Sequence, residues 1–192
     1  SEAGPPVDIL INNAGIVVGR PFAEHSLIDI DRTMAVNTTA LMHLTRVLLP
    51  GMMERGLGHV VNIASAASMV SNPGMSVYCA SKWAVVGWSD SLRLEMEAED
   101  TGVRVTTVIP YYIDTGMFDG VKSPLIPILK PEPTANRIIQ AIERERIFLR
   151  MPAIINLLPL ARGILPTRIF DVVVGRFFGI YKSMADFTGR KT

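Results

Sequence analysis

The sequence predicts an α/β protein built on a parallel sheet. Three observations carry that reading. Short, nearly continuous apolar runs at 7–11, 58–65 and 103–110 read as strands. Two long segments between them place apolar residues at helical spacing. Strands alternating with long helices imply crossover connections, hence parallel pairing. Strands this apolar also suit a sheet covered on both faces.

Taken in order, "VDILINNAG" is a short buried strand at 7–11 running into a polar turn that ends at Gly15. The segment 26–56, "SLIDIDRTMAVNTTALMHLTRVLLPGMMERG", reads as one long helix. "GHVVNIAS" at 58–65 is a second buried strand, and "NPGM" at 72–75 is a loop. A second long helix spans 76–99 and stops at Thr101-Gly102. "VRVTTVIP" is a third strand, rich in β-branched residues. Prolines at 124, 127, 131 and 133 make 111–133 loop-like. "TANRIIQAIERER" is an amphipathic helix with Thr134 as its cap. Beyond it lies an apolar stretch broken by prolines at 152, 159 and 166 and punctuated by arginines at 150, 162, 168 and 176. The reading divides the chain into a domain at 1–150 and an apolar, basic tail at 151–192.

Composition narrows the function classes. The chain is 48% hydrophobic and 19% charged, with a net charge of +1. That suits a folded core and gives no basic surface for nucleic acid. No run of about 20 apolar residues is present, so no membrane-spanning helix is expected. A single cysteine, Cys79, leaves no internal disulfide and no cysteine metal cluster, and it fits the cytoplasm. His25, His43 and His59 lack metal-ligand spacing, so no metal site is expected.

The stretch "SVYCASKWAVVG" at 76–87 places Tyr78 and Lys82 four positions apart, on one helix face. A tyrosine ionises near pH 10 in water, too high for a base at neutral pH. An ammonium about 4 Å away, at an effective dielectric of about 20, would favour the phenolate by roughly 4 kcal/mol. Before desolvation is subtracted, that would bring the phenol near 7, where acid/base catalysis works best. Ser65, thirteen residues earlier, ends a strand, and ligands collect at the carboxyl ends of parallel strands. A hydroxyl and a phenol are thereby brought to one mouth.

"NNAG" at 12–15, Asn37, "NIAS" ending at Ser65, "YCASK" at 78–82 and "DTG" at 114–116 together resemble the short-chain dehydrogenase/reductase family. The resemblance covers nearly the whole chain. It implies a Rossmann-like, doubly wound sheet and hydride transfer between a carbinol carbon and NAD or NADP. It gives Tyr78 the proton transfer, Lys82 the lowering of its pKa and a hold on the nicotinamide ribose, and Ser65 a hydrogen bond to the substrate oxygen. Asn37 would bind a relay water. Asn12, Ala14, Gly15, Pro110, Ile113 and Thr115 would lie along the cofactor with Tyr78 and Lys82. Two positions depart from the family pattern: Tyr111 stands where a glycine is usual after Pro110, and Ala64 where a serine is common.

The glycine-rich turn that grips a pyrophosphate in such enzymes does not occur in these residues. The resemblance makes 7–11 the fourth strand of such a sheet, lacking the first strands. The chain is therefore expected to be a fragment with an open strand edge, inactive alone. Within the family, the region after Pro110 resembles retinol and 17-beta-hydroxysteroid dehydrogenases. Met75, Tyr111, Met117 and Phe118 fall at substrate-loop positions, and the methionines there suit a lipophilic substrate such as a retinoid, steroid or fatty alcohol. The alternatives are a polar soluble substrate, or a non-catalytic module for lipid-surface binding or dimerisation. The tail suits either a peripheral segment on a membrane or lipid surface, or packing on the domain or a partner. The family's dimer faces are its long helices, so a homodimer or homotetramer is expected of the intact enzyme.

Overall fold

The computed structural model describes residues 5–123 and 125–189. Four strands, β1 (Ile9–Asn12), β2 (Gly58–Ile63), β3 (Val103–Pro110) and β4 (Phe148–Met151), form one sheet in the order β1-β2-β3-β4. Every neighbouring pair is parallel. The helices are α1 (Leu27–Met34), α2 (Ala40–Arg55), α3 (Ser76–Ala98), α4 (Pro131–Glu143), α5 (Leu158–Ile164) and α6 (Thr167–Phe170). The sheet core splits by face. Val60, Val105, Leu92 and Met96 pack with Met52, whereas Val61, Val108 and Leu149 pack with Ala141 of α4. This is the α/β class expected.

The long helix expected over 26–56 is present but widened. Ser26 opens it with a reciprocal cap: the Asp29 N–H donates to Ser26 Oγ at 3.1 Å, and the Ser26 N–H donates to Asp29 Oδ2 at 3.2 Å. Between α1 and α2 the backbone takes a π-turn over Ala35–Thr39. Such bulges rotate the residues they carry, and here the turn holds the buried Asn37 and Thr38.

Three expectations are corrected. First, the 7–11 segment is not a buried strand. β1 begins at Ile9, and Ile9 and Ile11 are 51% and 50% exposed. Among the described residues it pairs only with β2, at the margin of the sheet. Second, β4 was not foreseen. It has four residues with Arg150 among them and Pro152 just beyond, so it gives no alternating or continuous apolar signal. The division drawn at 150 falls inside this strand. Third, Thr134 is not the cap of α4. The helix starts at Pro131, whose fixed φ suits the first helical position, and the Thr134 hydroxyl donates back to the Lys130 carbonyl at 2.7 Å. Where it is described, the tail packs on the domain, one of the placements expected of it. Ile155, Phe170, Val174 and Ile180 are buried in one cluster with Ile109 and Tyr111.

Candidate active site

The carboxyl ends of β1, β2 and β3 open on a cleft of about 400 Å³. That is the place and size expected of a ligand site in an open parallel sheet. Asn13, Ala14 and Gly15 enter it from the turn after β1, Ala64 and Ser65 from just beyond β2, and Pro110 and Tyr111 from the end of β3 and the residue after it. Tyr78 and Lys82 reach in from the first turns of α3, and Ile113, Thr115, Met117 and Phe118 close the far wall.

Ser65 is held by a short 3₁₀ turn over Ala66–Ser68. Its Oγ accepts from the Ala67 N–H at 3.2 Å, and its carbonyl accepts from the Ser68 hydroxyl at 2.6 Å. Tyr78 is 4% exposed, and its ring meets Phe118 edge-on at 5.9 Å. Burial pushes its phenol well above the usual tyrosine value, and a hydrogen bond with Ser65 draws it partly back. Lys82, also 4% exposed, donates from Nζ to the Ile63 carbonyl at 2.9 Å and sits 5.8 Å from the centre of the Tyr78 ring. Burial lowers its pKa to about 8.

These values correct the expectation that the lysine brings the phenol near 7. Desolvation is the largest influence on the buried phenol, and the Lys82 ammonium is itself desolvated and bonded to a carbonyl. The same values carry a pH prediction. Lys82 titrates near 8 when folded and near 10.5 when unfolded, so the unfolded state binds more protons in between. Below about pH 8 both states are charged, and the full penalty of burying the ammonium bears on the fold. As pH rises from 8 toward 10, that penalty is relieved. Denaturant titrations without cofactor should show wild type gaining stability relative to Lys82→Met over this range. Parallel pH profiles would contradict the burial account.

Three of the expected residues, Asn37, Asn12 and Met75, lie outside the cleft wall. Asn37 donates from Nδ2 to the Ile16 carbonyl at 2.9 Å and to Ser81 Oγ at 3.0 Å, and its Oδ1 accepts the Ile16 N–H at 2.8 Å. Both amide hydrogens are thus committed to protein, and the side chain pins the turn after β1. Gly15 lies beside it: a Cβ there would stand 3.5 Å from Asn37 Oδ1 and 3.6 Å from Lys82 Nζ. Asn12 faces away from the cleft. Its Nδ2 donates to Asn62 Oδ1 at 2.8 Å and to Thr45 Oγ1 at 3.1 Å, so it ties β1 to β2 and α2. Asn13 occupies the cleft position instead. Strand alternation was the available signal: if Asn12 ends β1 facing inward, its successor points the other way.

Met75 also lies outside the main cleft. It lines a narrow apolar slot of about 30 Å³ that shares Ser65, Tyr111 and Phe118 with the cleft. Asn72, Tyr112, Ile155, Leu158 and Ile180 line it too, with Ala66, Ala67 and Val70, and sequence reading made none of these a site residue. Tyr111 separates the two spaces. Its hydroxyl is 3.0 Å from Ser123 Oγ, and burial raises its pKa to about 12. The larger residue after Pro110 thus forms a wall between the two spaces.

Fold and cleft together define an open parallel α/β sheet with a ligand-sized cleft at the carboxyl ends of its strands. Residues 2–125 match the short chain dehydrogenase family model, and the chain belongs to that family. It is 38% identical over 189 residues to epidermal retinol dehydrogenase 2 of Mus musculus, covering 96% of this chain and 61% of that protein. It is 37% identical over 193 residues to retinol dehydrogenase 10 of Homo sapiens, covering 96% of this chain and 56% of that protein. The chain therefore spans less than two thirds of these curated relatives. Among solved structures it resembles a short-chain dehydrogenase from Burkholderia cenocepacia J2315 in complex with NADP. The TM-score is 0.75 at 25% identity, covering 86% of this chain and 68% of that one. A short-chain dehydrogenase from Sphingobium yanoikuyae in complex with NADPH gives 0.71 at 25% identity, covering 100% and 69%.

Proposed function

We propose that the protein carrying this chain is an NAD- or NADP-dependent oxidoreductase that interconverts a lipophilic alcohol with its ketone or aldehyde. One observation carries the reading: Ser65, Tyr78 and Lys82 share a wall of the strand-end cleft, next to an apolar slot. The cleft suits the nicotinamide and ribose in volume and donor set, with Ala14 and Gly15 on one side and Ile113 and Thr115 on the other. When bound, the nicotinamide supplies or accepts the hydride. Tyr78 then gives a proton to the substrate oxygen, or takes one from it. Ser65 donates a hydrogen bond to that same oxygen. Lys82 stands one helical turn from the phenol and favours its ionised form once the ammonium faces the cleft. Two solved relatives are described as complexes with NADP or NADPH, and two curated ones are retinol dehydrogenases, which supports the cofactor and a lipophilic substrate. The test is turnover by the full-length protein on retinol, a hydroxysteroid and a long-chain alcohol against a panel of polar ketones and sugars. Turnover of the lipophilic group is expected, and turnover confined to the polar panel would overturn the substrate class.

The tail supports peripheral contact with a lipid surface from the cytoplasm. Among the described residues no helix is long and apolar enough to cross a membrane. Yet Leu157 just before α5 and Leu160 and Ile164 within it, at spacings of three and four, are exposed, and Phe177 is exposed beyond α6. Apolar groups beside Arg168, Arg176 and Lys182 fit an interfacial segment. The full-length protein should float with anionic vesicles, and Leu160→Glu with Ile164→Glu should leave it in the soluble fraction. Flotation unaffected by the pair would count against this face. The intact protein is read as a homodimer or homotetramer.

A further inference from the structure

Tyr111 stands where the cleft meets the narrow slot. Ser65, Tyr111 and Phe118 line both spaces. Ser65 is too small to divide them, and Phe118 lies partly exposed on the loop after β3. Tyr111 is large and 8% exposed. It is also fixed at both ends. Its N–H donates to the Met151 carbonyl at 2.8 Å, at the end of β4. Its hydroxyl is 3.0 Å from Ser123 Oγ. The Ser123 hydrogen is committed to the Ile126 carbonyl, so Ser123 accepts and Tyr111 donates. Between these ends the ring meets Tyr112 edge-on at 4.6 Å. Swinging the ring aside would forfeit the hydroxyl's hydrogen bond and the ring contact together.

The reacting oxygen belongs at Ser65 and Tyr78, which are hydrogen-bonded to each other. The reacting carbon then lies beside the junction that Tyr111 closes. A carbonyl carbon carries two further substituents. One that points at the junction meets the Tyr111 ring. Behind the ring the slot offers only about 30 Å³, the room of a group of water or methyl size. The other substituent has ample room. The cleft holds about 400 Å³, and Met117 borders both it and a further space of about 400 Å³ lined by Val17, Val18 and Phe187. We propose that Tyr111 is a specificity-determining residue that admits only a hydrogen or a methyl group on one side of the reacting carbon. The preferred class is then a long-chain aldehyde and its primary alcohol, with methyl ketones at the limit. Ketones with two bulky arms, ring ketones among them, are disfavoured by overpacking against a ring that is held in place. Within the lipophilic panel, retinol and the long-chain alcohol should therefore rank above the hydroxysteroid. Ser123 is a positioning residue that anchors the ring. This assignment rests on the reading of the cleft given above.

The test uses isomers, so that atom count is constant: decanal, methyl octyl ketone and butyl pentyl ketone, with the full-length protein. The two ketones are alike in intrinsic reactivity, so their ratio reports the shape of the site. Wild type should reduce the methyl ketone with a kcat/KM at least about tenfold above that of the butyl ketone, with decanal best of the three. Tyr111→Gly should bring the ketone ratio to within about threefold by raising turnover of the butyl ketone, and Tyr111→Val should fall between. Circular dichroism checks that each variant is folded, and the wild-type ratio decides even where a variant is not. Binding of both ketones with the oxidised cofactor present is measured in parallel by calorimetry. A preference left unchanged in a folded variant overturns the assignment. If wild type reduces both ketones equally well, the oxidoreductase reading stands and the role of Tyr111 falls. If the methyl ketone binds more tightly than the butyl ketone but no compound is reduced, the role of Tyr111 stands and the catalytic reading falls. If none binds and none is reduced, both fall.

Discussion

Tyr78→Phe in the full-length protein should reduce kcat by roughly 10²- to 10⁴-fold, the usual range for losing a positioned general acid or base. The substitution isolates the chemistry. The ring keeps its edge contact with Phe118 and its place in the cluster with Met75 and Cys79. Only the hydroxyl is lost, together with its hydrogen bond to Ser65. Stability should therefore change by no more than about 1 kcal/mol. KM should move little, because the missing interaction acts on the proton in flight rather than on the bound ground state. Steady-state kinetics beside a denaturant titration measure both. Turnover within threefold of wild type would remove Tyr78 from the proton-transfer role.

Gly102→Ala should be among the most destabilising single-methyl substitutions in the chain, at about 3–5 kcal/mol. Two effects add. Gly102 has φ of +73°, where an L side chain is strained. An added Cβ would also stand 2.1 Å from the Gly56 carbonyl oxygen and 2.7 Å from its carbon. Both are backbone atoms at the end of α2, so no side chain can swing aside. The turn feeding β3 and the end of α2 would have to separate, and β2 and β3 are aligned from Gly58 and Val103, just beyond that contact. Gly56→Ala is the internal control. Its φ is +65°, but nothing lies within 4 Å of the added atom, so only the conformational strain of about 1 kcal/mol remains. Chemical unfolding of the two variants separates the effects. Equal losses would show that the close approach contributes nothing.

Much of the fold was legible because the pattern is local. Helix-period spacing located the long helix before β2 and the one after it, and continuous apolar runs located β2 and β3. These signals survive without knowledge of neighbours. β4 gave no such signal, since a four-residue strand carrying an arginine is defined by its pairing with β3. β1 was legible as a strand, but its burial was not, because burial depends on what lies beside it. Thr134 matched the composition of a cap, yet Pro131 had already started the helix.

The candidate site divides in the same way. By itself the sequence determined that Tyr78 and Lys82 share a helix face one turn apart, and that Ser65 lies just past the carboxyl end of a strand, because helical period and strand ends are properties of adjacent residues. The tertiary structure alone decided the rest. It turned Asn12 into a tie between strands and put Asn13 in the cleft. It committed the Asn37 amide to Ile16 and Ser81. It raised the Tyr78 phenol and lowered the Lys82 ammonium, where charge spacing had suggested a phenol near neutrality. It also built the slot from Asn72, Tyr112, Ile155 and Ile180, residues far apart along the chain. Desolvation and enclosure depend on every atom that surrounds a group. Most of those atoms come from distant segments, which no local spacing encodes.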